Sequence, residues 1–163
     1  MSDFAAVAVR HAQELPQAVV FCGWSMGGLV SLQAAGQVQP HSVVLLESSP
    51  PGETQGFDPD VQPADGLFDP EEVYGPFPKG IRSRPESARA RADRKRGISV
   101  PSLPAPALVV VGSEFPERGR PLADLYGADL VELLDLDHWE LVLSPRTRQI
   151  VREWLERKSR AYG

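Results

Sequence analysis

The sequence predicts an α/β protein with a mostly parallel sheet of about four strands flanked by helices. Short, continuously apolar runs indicate strands that are buried on both faces of such a sheet. Helical patterns alternate with these runs, as right-handed crossovers between parallel strands require. The 163 residues can form one domain with a core, since 42% are hydrophobic and 24% are charged.

The first predicted element is an amphipathic helix over residues 3–15, which Pro16 ends. Apolar positions at spacings of three and four indicate its buried stripe: Phe4, Val7, Ala8, His11, Ala12 and Leu15. The first strand follows at residues 18–22. The chain then turns at residues 23–28, and a second helix is predicted over residues 29–38.

Three further strands are predicted over residues 42–46, 107–111 and 129–134. The C-terminal helix begins at Pro145, and Ser144 is its predicted N-cap. Its buried stripe consists of Ile150, Val151, Trp154 and Leu155.

Residues 48–104 interrupt the alternation, and we interpret them as a lid-like insertion in a single domain spanning residues 1–163. Eleven of the 16 prolines lie between Pro50 and Pro106. Connections in α/β proteins are usually only a few residues long. The inserted segment is therefore a candidate lid over an active site, or a mobile loop.

Inside this insertion, a stretch of fifteen positions holds seven of the 17 basic residues: Arg82, Arg84, Arg89, Arg91, Arg94, Lys95 and Arg96. Such a run could steer an anionic substrate or hold an acidic partner. We favour the simpler interpretation, a solvated helix face whose charge is balanced by Glu86 and Asp93.

The overall charge argues against nucleic acid as a partner. Acidic residues number 22 against 17 basic ones, a net charge of −5, whereas phosphate binding needs an excess of cations. Apolar runs are far shorter than the roughly 20 residues that span a membrane, so no membrane association is expected. Cys22 is the single cysteine, which excludes an intrachain disulfide and fits a cytoplasmic protein. The three histidines and this cysteine have no metal-ligand spacing, and we expect no metal.

The motif Gly23-Trp24-Ser25-Met26-Gly27 is the strongest chemical signal. It matches G-x-S-x-G, follows a predicted strand and opens a helix, which is the context of a nucleophile elbow. We expect a side chain at either Gly23 or Gly27 to crowd the sharp turn that exposes Ser25. The Met26 amide would face negative charge developing near Ser25, as an oxyanion donor does.

These residues make the chain resemble the α/β-hydrolase-fold family of serine esterases and lipases. The family order is Ser, then an acid, then His, and the resemblance implies Ser25 as nucleophile and His138 as base. The family's usual acid position falls on Phe115. Glu114 is our favoured acid and Glu47, which ends a strand, is the alternative; a missing acid is the third possibility. Trp24 and Trp139 are candidates for lining the substrate pocket.

The resemblance implies a serine hydrolase that cleaves a carboxylic ester or related acyl bond of a small molecule, without a cofactor. The alternative is a noncatalytic binding or interaction protein that keeps the elbow as a scaffold. Only 24 residues precede Ser25, so the resemblance implies that the family's N-terminal strands and second oxyanion loop are missing here. Either the sequence begins inside a longer protein, which we favour, or two copies pair, or a shortened protein has lost catalysis. The elbow strand would then have an open, apolar edge, through which two copies could pair as a homodimer.

Overall fold

The computed structural model describes residues 1–64, 67–81 and 86–161. In chain order its elements are α1 (Ser2–Glu14), β1 (Val20–Trp24), α2 (Met26–Ala35), β2 (Ser42–Leu46), α3 (Gly52–Gln55), β3 (Leu67–Phe68), α4 (Pro70–Tyr74), β4 (Glu86–Ser87), α5 (Ala88–Arg96), β5 (Ala107–Val111), a short 3-10 helix (Pro116–Arg118), α6 (Gly119–Tyr126), β6 (Asp129–Glu132), α7 (His138–Leu143) and α8 (Pro145–Ala161).

The main sheet is parallel and has the strand order β1-β2-β5-β6. This confirms the predicted fold class and its four strands. In the pairing register, Trp24 at the end of β1 lies beside Leu46 at the end of β2, and Leu46 lies beside Val110. The carboxyl ends of these strands therefore meet at one edge of the sheet, where α/β proteins commonly place their sites.

Each face of the sheet packs against its own layer of helices. Val43 and Leu45 of β2 join one buried cluster, which includes Leu29 of α2 and Leu122 of α6. The alternate residues of β2 join a second cluster on the opposite face, with Leu141 of α7 and Trp154 of α8. Both β2 and β5 are buried along their whole length, which explains their continuously apolar sequences.

The C-terminal helix α8 begins as predicted, because Ser144 Oγ accepts a hydrogen bond from the Arg146 amide at 3.1 Å. Trp154 is only 1% exposed, and its indole Nε1 donates to Asp129 Oδ2 at 2.6 Å. Hydrogen bonds from Trp154 and Lys158 lower the pKa of Asp129, so this carboxylate anchors α8 to β6.

The predicted stripe of the first helix is partly wrong. Ala5 and Ala12 are its buried residues, whereas Phe4, Val7 and Leu15 are about half exposed. β1 is an outer strand of the sheet, which agrees with the open edge expected beside the elbow, but its expected burial on both faces is wrong because Cys22 is exposed. An apolar run alone does not distinguish an edge strand from a central one, because both kinds can be apolar.

Between β2 and β5, the chain forms helices α3 to α5 and the small antiparallel pair β3-β4. Backbone hydrogen bonds join the start and the end of this segment, and in one of them the Gly52 amide donates to Ile98 O at 2.8 Å. Glu53 adds two bonds there, accepting from Ser99 Oγ and from the Val100 amide. In the basic run, Arg94 pairs with the buried Glu86 at 2.8 Å. Arg82 and Arg84 lie outside the described residues.

A cavity of about 690 Å³ lies between the open edge of β1 and α8. Its apolar lining includes Cys22, Leu46, Val142, Val151 and Leu155. Within the described ranges, no helix has both the length and the apolar character needed to cross a membrane.

Of the two glycines predicted to be needed in the elbow turn, the structure supports Gly23 but not Gly27. A Cβ at Gly23 would overlap the Gly27 carbonyl and lie 2.6 Å from the Gly28 Cα, so Gly23 is required. A Cβ at Gly27 meets no described atom within 4 Å, and the prediction that Gly27 is needed for space was wrong. Gly28 is the second close approach, because a Cβ there would overlap Ser48.

This contrast predicts opposite effects of two alanine substitutions four residues apart. Gly23→Ala should lower the free energy of unfolding by about 3 kcal/mol or more, because the colliding atoms are backbone. Gly27→Ala should raise it by up to about 1 kcal/mol, because alanine is the better helix former and space is available. Urea denaturation of both variants checks this, and equal losses of stability would contradict it.

Candidate active site

Ser25 is held in a strained backbone conformation between β1 and α2. Its φ is 54° and its ψ is −125°, a conformation rarely adopted by residues other than glycine. Three hydrogen bonds hold the turn: the Ser25 amide donates to Leu46 O at 3.0 Å, and the Ser25 carbonyl accepts from the Gly28 and Ser49 amides. The turn is thus fixed directly to the end of β2 and the residues that follow it.

Glu47, the residue after β2, is the second strained position. Its φ is 43°, and among the described residues only Ser25 and Glu47 combine a side chain with a positive φ. The Glu47 side chain is fully buried, and its Oε1 accepts from the Gly112 amide at 3.0 Å and the Phe115 amide at 3.2 Å. Such strain costs of order 1–3 kcal/mol per residue and concentrates at functional sites.

The carboxylate of Glu47 also contacts His138. Glu47 Oε2 and His138 Nδ1 are 2.5 Å apart, and the histidine side chain is 16% exposed. Burial raises the pKa of Glu47, but hydrogen bonds from His138, Phe115 and Gly112 outweigh burial and leave the pKa below its ordinary value. Glu47 is therefore an ionised acceptor that orients the imidazole through Nδ1.

His138 is the first residue of α7, and a capping box fixes its backbone. Asp137 Oδ1 accepts from the Trp139 and Glu140 amides, while Glu140 Oε2 accepts from the Asp137 amide. Asp137 is thus engaged in capping the helix. The imidazole projects from a rigid helix terminus next to the ends of the strands.

Aromatic rings surround His138. The centroid of the Trp24 ring lies 4.5 Å from the imidazole, and Phe115 meets it edge-on at 5.7 Å. Trp139 contacts both Trp24, at 4.6 Å, and Phe77 from the segment between β2 and β5, at 4.5 Å. These rings give one side of His138 an apolar environment.

The geometry favours Glu47 over Glu114 as the partner of His138. Glu114 is exposed, and in the described structure the carboxylate bonded to His138 belongs to Glu47. Phe115 occupies the position where the sequence motif led us to expect an acid, and it contributes its amide to Glu47 instead. The sequence signal for Glu47 was its place directly after a buried strand, which puts it at the carboxyl edge of the sheet.

Met26 is the first residue of α2, and its amide belongs to the first turn, where N–H groups have no intrahelical acceptor. The same turn carries Gly27 and Gly28. No cluster of three or more His, Cys, Asp or Glu side chains suited to a metal ion occurs among the described residues.

His138, bonded to a buried carboxylate, contacts Trp24, the chain neighbour of Ser25, and these residue types are the ones that nucleophilic catalysis uses. Sequence reasoning did not find the contacts of Trp24 and Phe115 with His138. Those contacts join segments that are distant in the chain, and no local pattern marks them.

No curated protein sequence matches the chain. Among solved structures, a carboxylesterase of the ammonia-oxidizing thaumarchaeon Nitrososphaera gargenis is similar, with a TM-score of 0.67 and 16% identity, covering 98% of this chain and 73% of that one. Polyneuridine aldehyde esterase is also similar, with a TM-score of 0.61 and 16% identity over 96% of this chain and 78% of the esterase.

One of the metagenome-derived lipolytic enzymes LipS and LipT has a TM-score of 0.58 and 19% identity, covering 98% of this chain and 73% of that one. At such identities these structures establish the fold alone. The sequence model of the alpha/beta hydrolase family matches residues 1–162, nearly the whole chain. The chain therefore belongs to the alpha/beta hydrolase family.

Proposed function

We propose that this chain is a serine hydrolase that cleaves a carboxylic ester or related acyl bond through an acyl-enzyme. The observation that carries the proposal is the bond between the buried Glu47 carboxylate and His138 Nδ1. Burying a charge is costly unless the charge is fully hydrogen-bonded. We therefore infer that the buried Glu47 carboxylate has a task in the protein. Orienting the imidazole of His138, which contacts the residue before the half-buried Ser25, is such a task.

In the first half of the reaction, Ser25 Oγ attacks the acyl carbonyl carbon. His138 Nε2 takes the serine proton as the bond forms, while Glu47 holds Nδ1 and stabilises the imidazolium. The Met26 amide donates to the oxygen that becomes negative in the tetrahedral intermediate. Collapse of this intermediate expels the alcohol, which receives the proton from His138.

In the second half, a water molecule attacks the acyl-enzyme and His138 takes its proton. The second tetrahedral intermediate collapses and releases the carboxylic acid, while His138 returns the proton to Ser25 Oγ. The substrate class is a small-molecule ester, and Trp139 is a candidate for contact with it because its ring lies beside Trp24 and Phe77.

The central test is hydrolysis of short-chain nitrophenyl esters by the chain and by Ser25→Ala. We expect turnover in the chain and a fall of about 10⁶-fold, or to background, in the variant. Ser102→Ala, which changes an exposed serine outside the site, is the matched control and should keep full activity. A fluorophosphonate should label Ser25, identified by peptide mass spectrometry, in the chain and in the control variant.

The same experiment separates the hydrolase from a noncatalytic binding protein. Equal rates in the chain and in Ser25→Ala, without a fluorophosphonate adduct at Ser25, would reject the hydrolase and leave the binding protein as the better description.

Comparison of Glu47→Gln with Glu114→Gln tests which acid orients His138. Glutamine at position 47 keeps the size but loses the charge, so kcat should fall roughly 10³- to 10⁴-fold. The Glu114→Gln variant should retain kcat, because that side chain is exposed and its carboxylate is not bonded to His138. The reverse ranking would assign the acid to Glu114.

The lowered pKa of Glu47 also predicts how stability depends on pH. A carboxyl whose pKa is lowered in the folded state stabilises the fold above its unfolded pKa of about 4.3, and this stabilisation is lost as the pH falls further. The chain should therefore lose more stability than Glu47→Gln on acidification from neutral pH to about pH 3. Urea denaturation across this range measures both slopes, and parallel slopes would contradict the prediction.

A further inference from the structure

Trp24 lies next to Ser25 in the chain, yet its side chain contacts a residue 114 positions away. The indole Nε1 donates a hydrogen bond to the backbone carbonyl of His138 at 3.0 Å. The Trp24 and His138 rings also contact each other, with centroids 4.5 Å apart and an interplanar angle of 35°. One side chain thus touches both the backbone and the ring of His138.

The backbone of Trp24 is itself fixed. It is the last residue of β1 and pairs with Leu46, and the next amide, that of Ser25, donates to Leu46 O. The indole therefore extends from the same hydrogen-bonded segment that carries the serine. A tryptophan side chain has only two rotatable bonds, so the link between Ser25 and His138 is short and stiff.

The Trp24 side chain is occupied by protein contacts. Besides His138, its ring contacts Trp139 at 4.6 Å, and it packs against the buried cluster that includes Leu141 and Trp154. A side chain whose N–H and ring are both engaged in this way is better suited to holding its neighbours than to lining the substrate pocket.

We propose that Trp24 is a positioning residue that holds His138 in register with Ser25, an inference that rests on the proposed function. The Glu47 bond holds the imidazole at a single ring atom, Nδ1, and does not by itself fix the tilt of the ring. The indole hydrogen bond fixes the His138 backbone, and the ring contact restricts the tilt. The indole ring of Trp24 also lies close enough to the imidazole to stabilise a cation through its π face. This contact favours the imidazolium that His138 becomes during turnover.

Trp24→Phe tests this role because it deletes the indole N–H and keeps an aromatic ring. We expect kcat for a nitrophenyl ester to fall about 10- to 100-fold with KM unchanged. A displacement of the imidazole by up to about 1 Å would have an effect of this size. Trp154→Phe is the matched control, since it also deletes one indole hydrogen bond, the bond from the buried Trp154 to Asp129. That variant should lower stability and leave kcat unchanged.

A second readout does not depend on activity. The proton between His138 Nδ1 and Glu47 should give a far-downfield NMR resonance, which disappears in Glu47→Gln. Trp24→Phe should shift or broaden this resonance, and Trp154→Phe should leave it in place. An unchanged resonance and an unchanged kcat in Trp24→Phe would overturn the positioning role. If the chain has no Ser25-dependent turnover, the proposed function fails, and the resonance alone decides the role of Trp24.

Discussion

The Glu47 carboxylate is the interaction on which the site depends. It is fully buried, and each of its oxygens is engaged: Oε1 by the amides of Gly112 and Phe115, and Oε2 by His138. The side chain starts at the end of β2, its amide donors follow β5, and His138 follows β6. A charge buried without these partners would cost several kcal/mol, so the loops after three strands stabilise one another through this one carboxylate.

The strain at Ser25 and Glu47 has a common origin in the sheet. The register places Trp24 beside Leu46, so the next residues of the two strands, Ser25 and Glu47, leave the sheet side by side. Both adopt a positive φ there. Because the chain turns directly after each strand, Ser25 and Glu47 stay at the carboxyl edge of the sheet. The flanking bonds, from the Ser25 amide to Leu46 and from the Glu47 amide to Val110, hold this costly geometry.

The sequence was sufficient for much of the fold, for reasons visible in particular residues. β2 and β5 are apolar because both of their faces are covered, and Ser144-Pro145 begins a helix by local chemistry alone. Gly23 was correctly identified as essential. The sequence did not show that Gly27 differs from Gly23. The space available for a Cβ at each position depends on how the turn packs, which the sequence motif does not reveal.

The acid could not be chosen from the sequence because its neighbours come from distant segments. Motif spacing after β5 pointed to Glu114, but the decisive contacts join position 47 to positions 112, 115 and 138. The buried face of α1 could not be chosen from the sequence either, because apolar residues at helical spacing form more than one possible stripe along this helix. Tertiary packing selects the one containing Ala5 and Ala12.

The loop after β5 donates hydrogen bonds to the acid without supplying the acid itself. With Phe115 in place of a carboxylate, its amide and that of Gly112 donate to Glu47, and its ring stands edge-on to His138. Arg118 lies 3.6 Å from the Phe115 ring centroid and covers that ring. A second carboxylate here would lie close to Glu47, and repulsion between the two like charges would raise the pKa of one of them. An aromatic residue at position 115 thus leaves the Glu47 carboxylate as the single negative charge beside the imidazole.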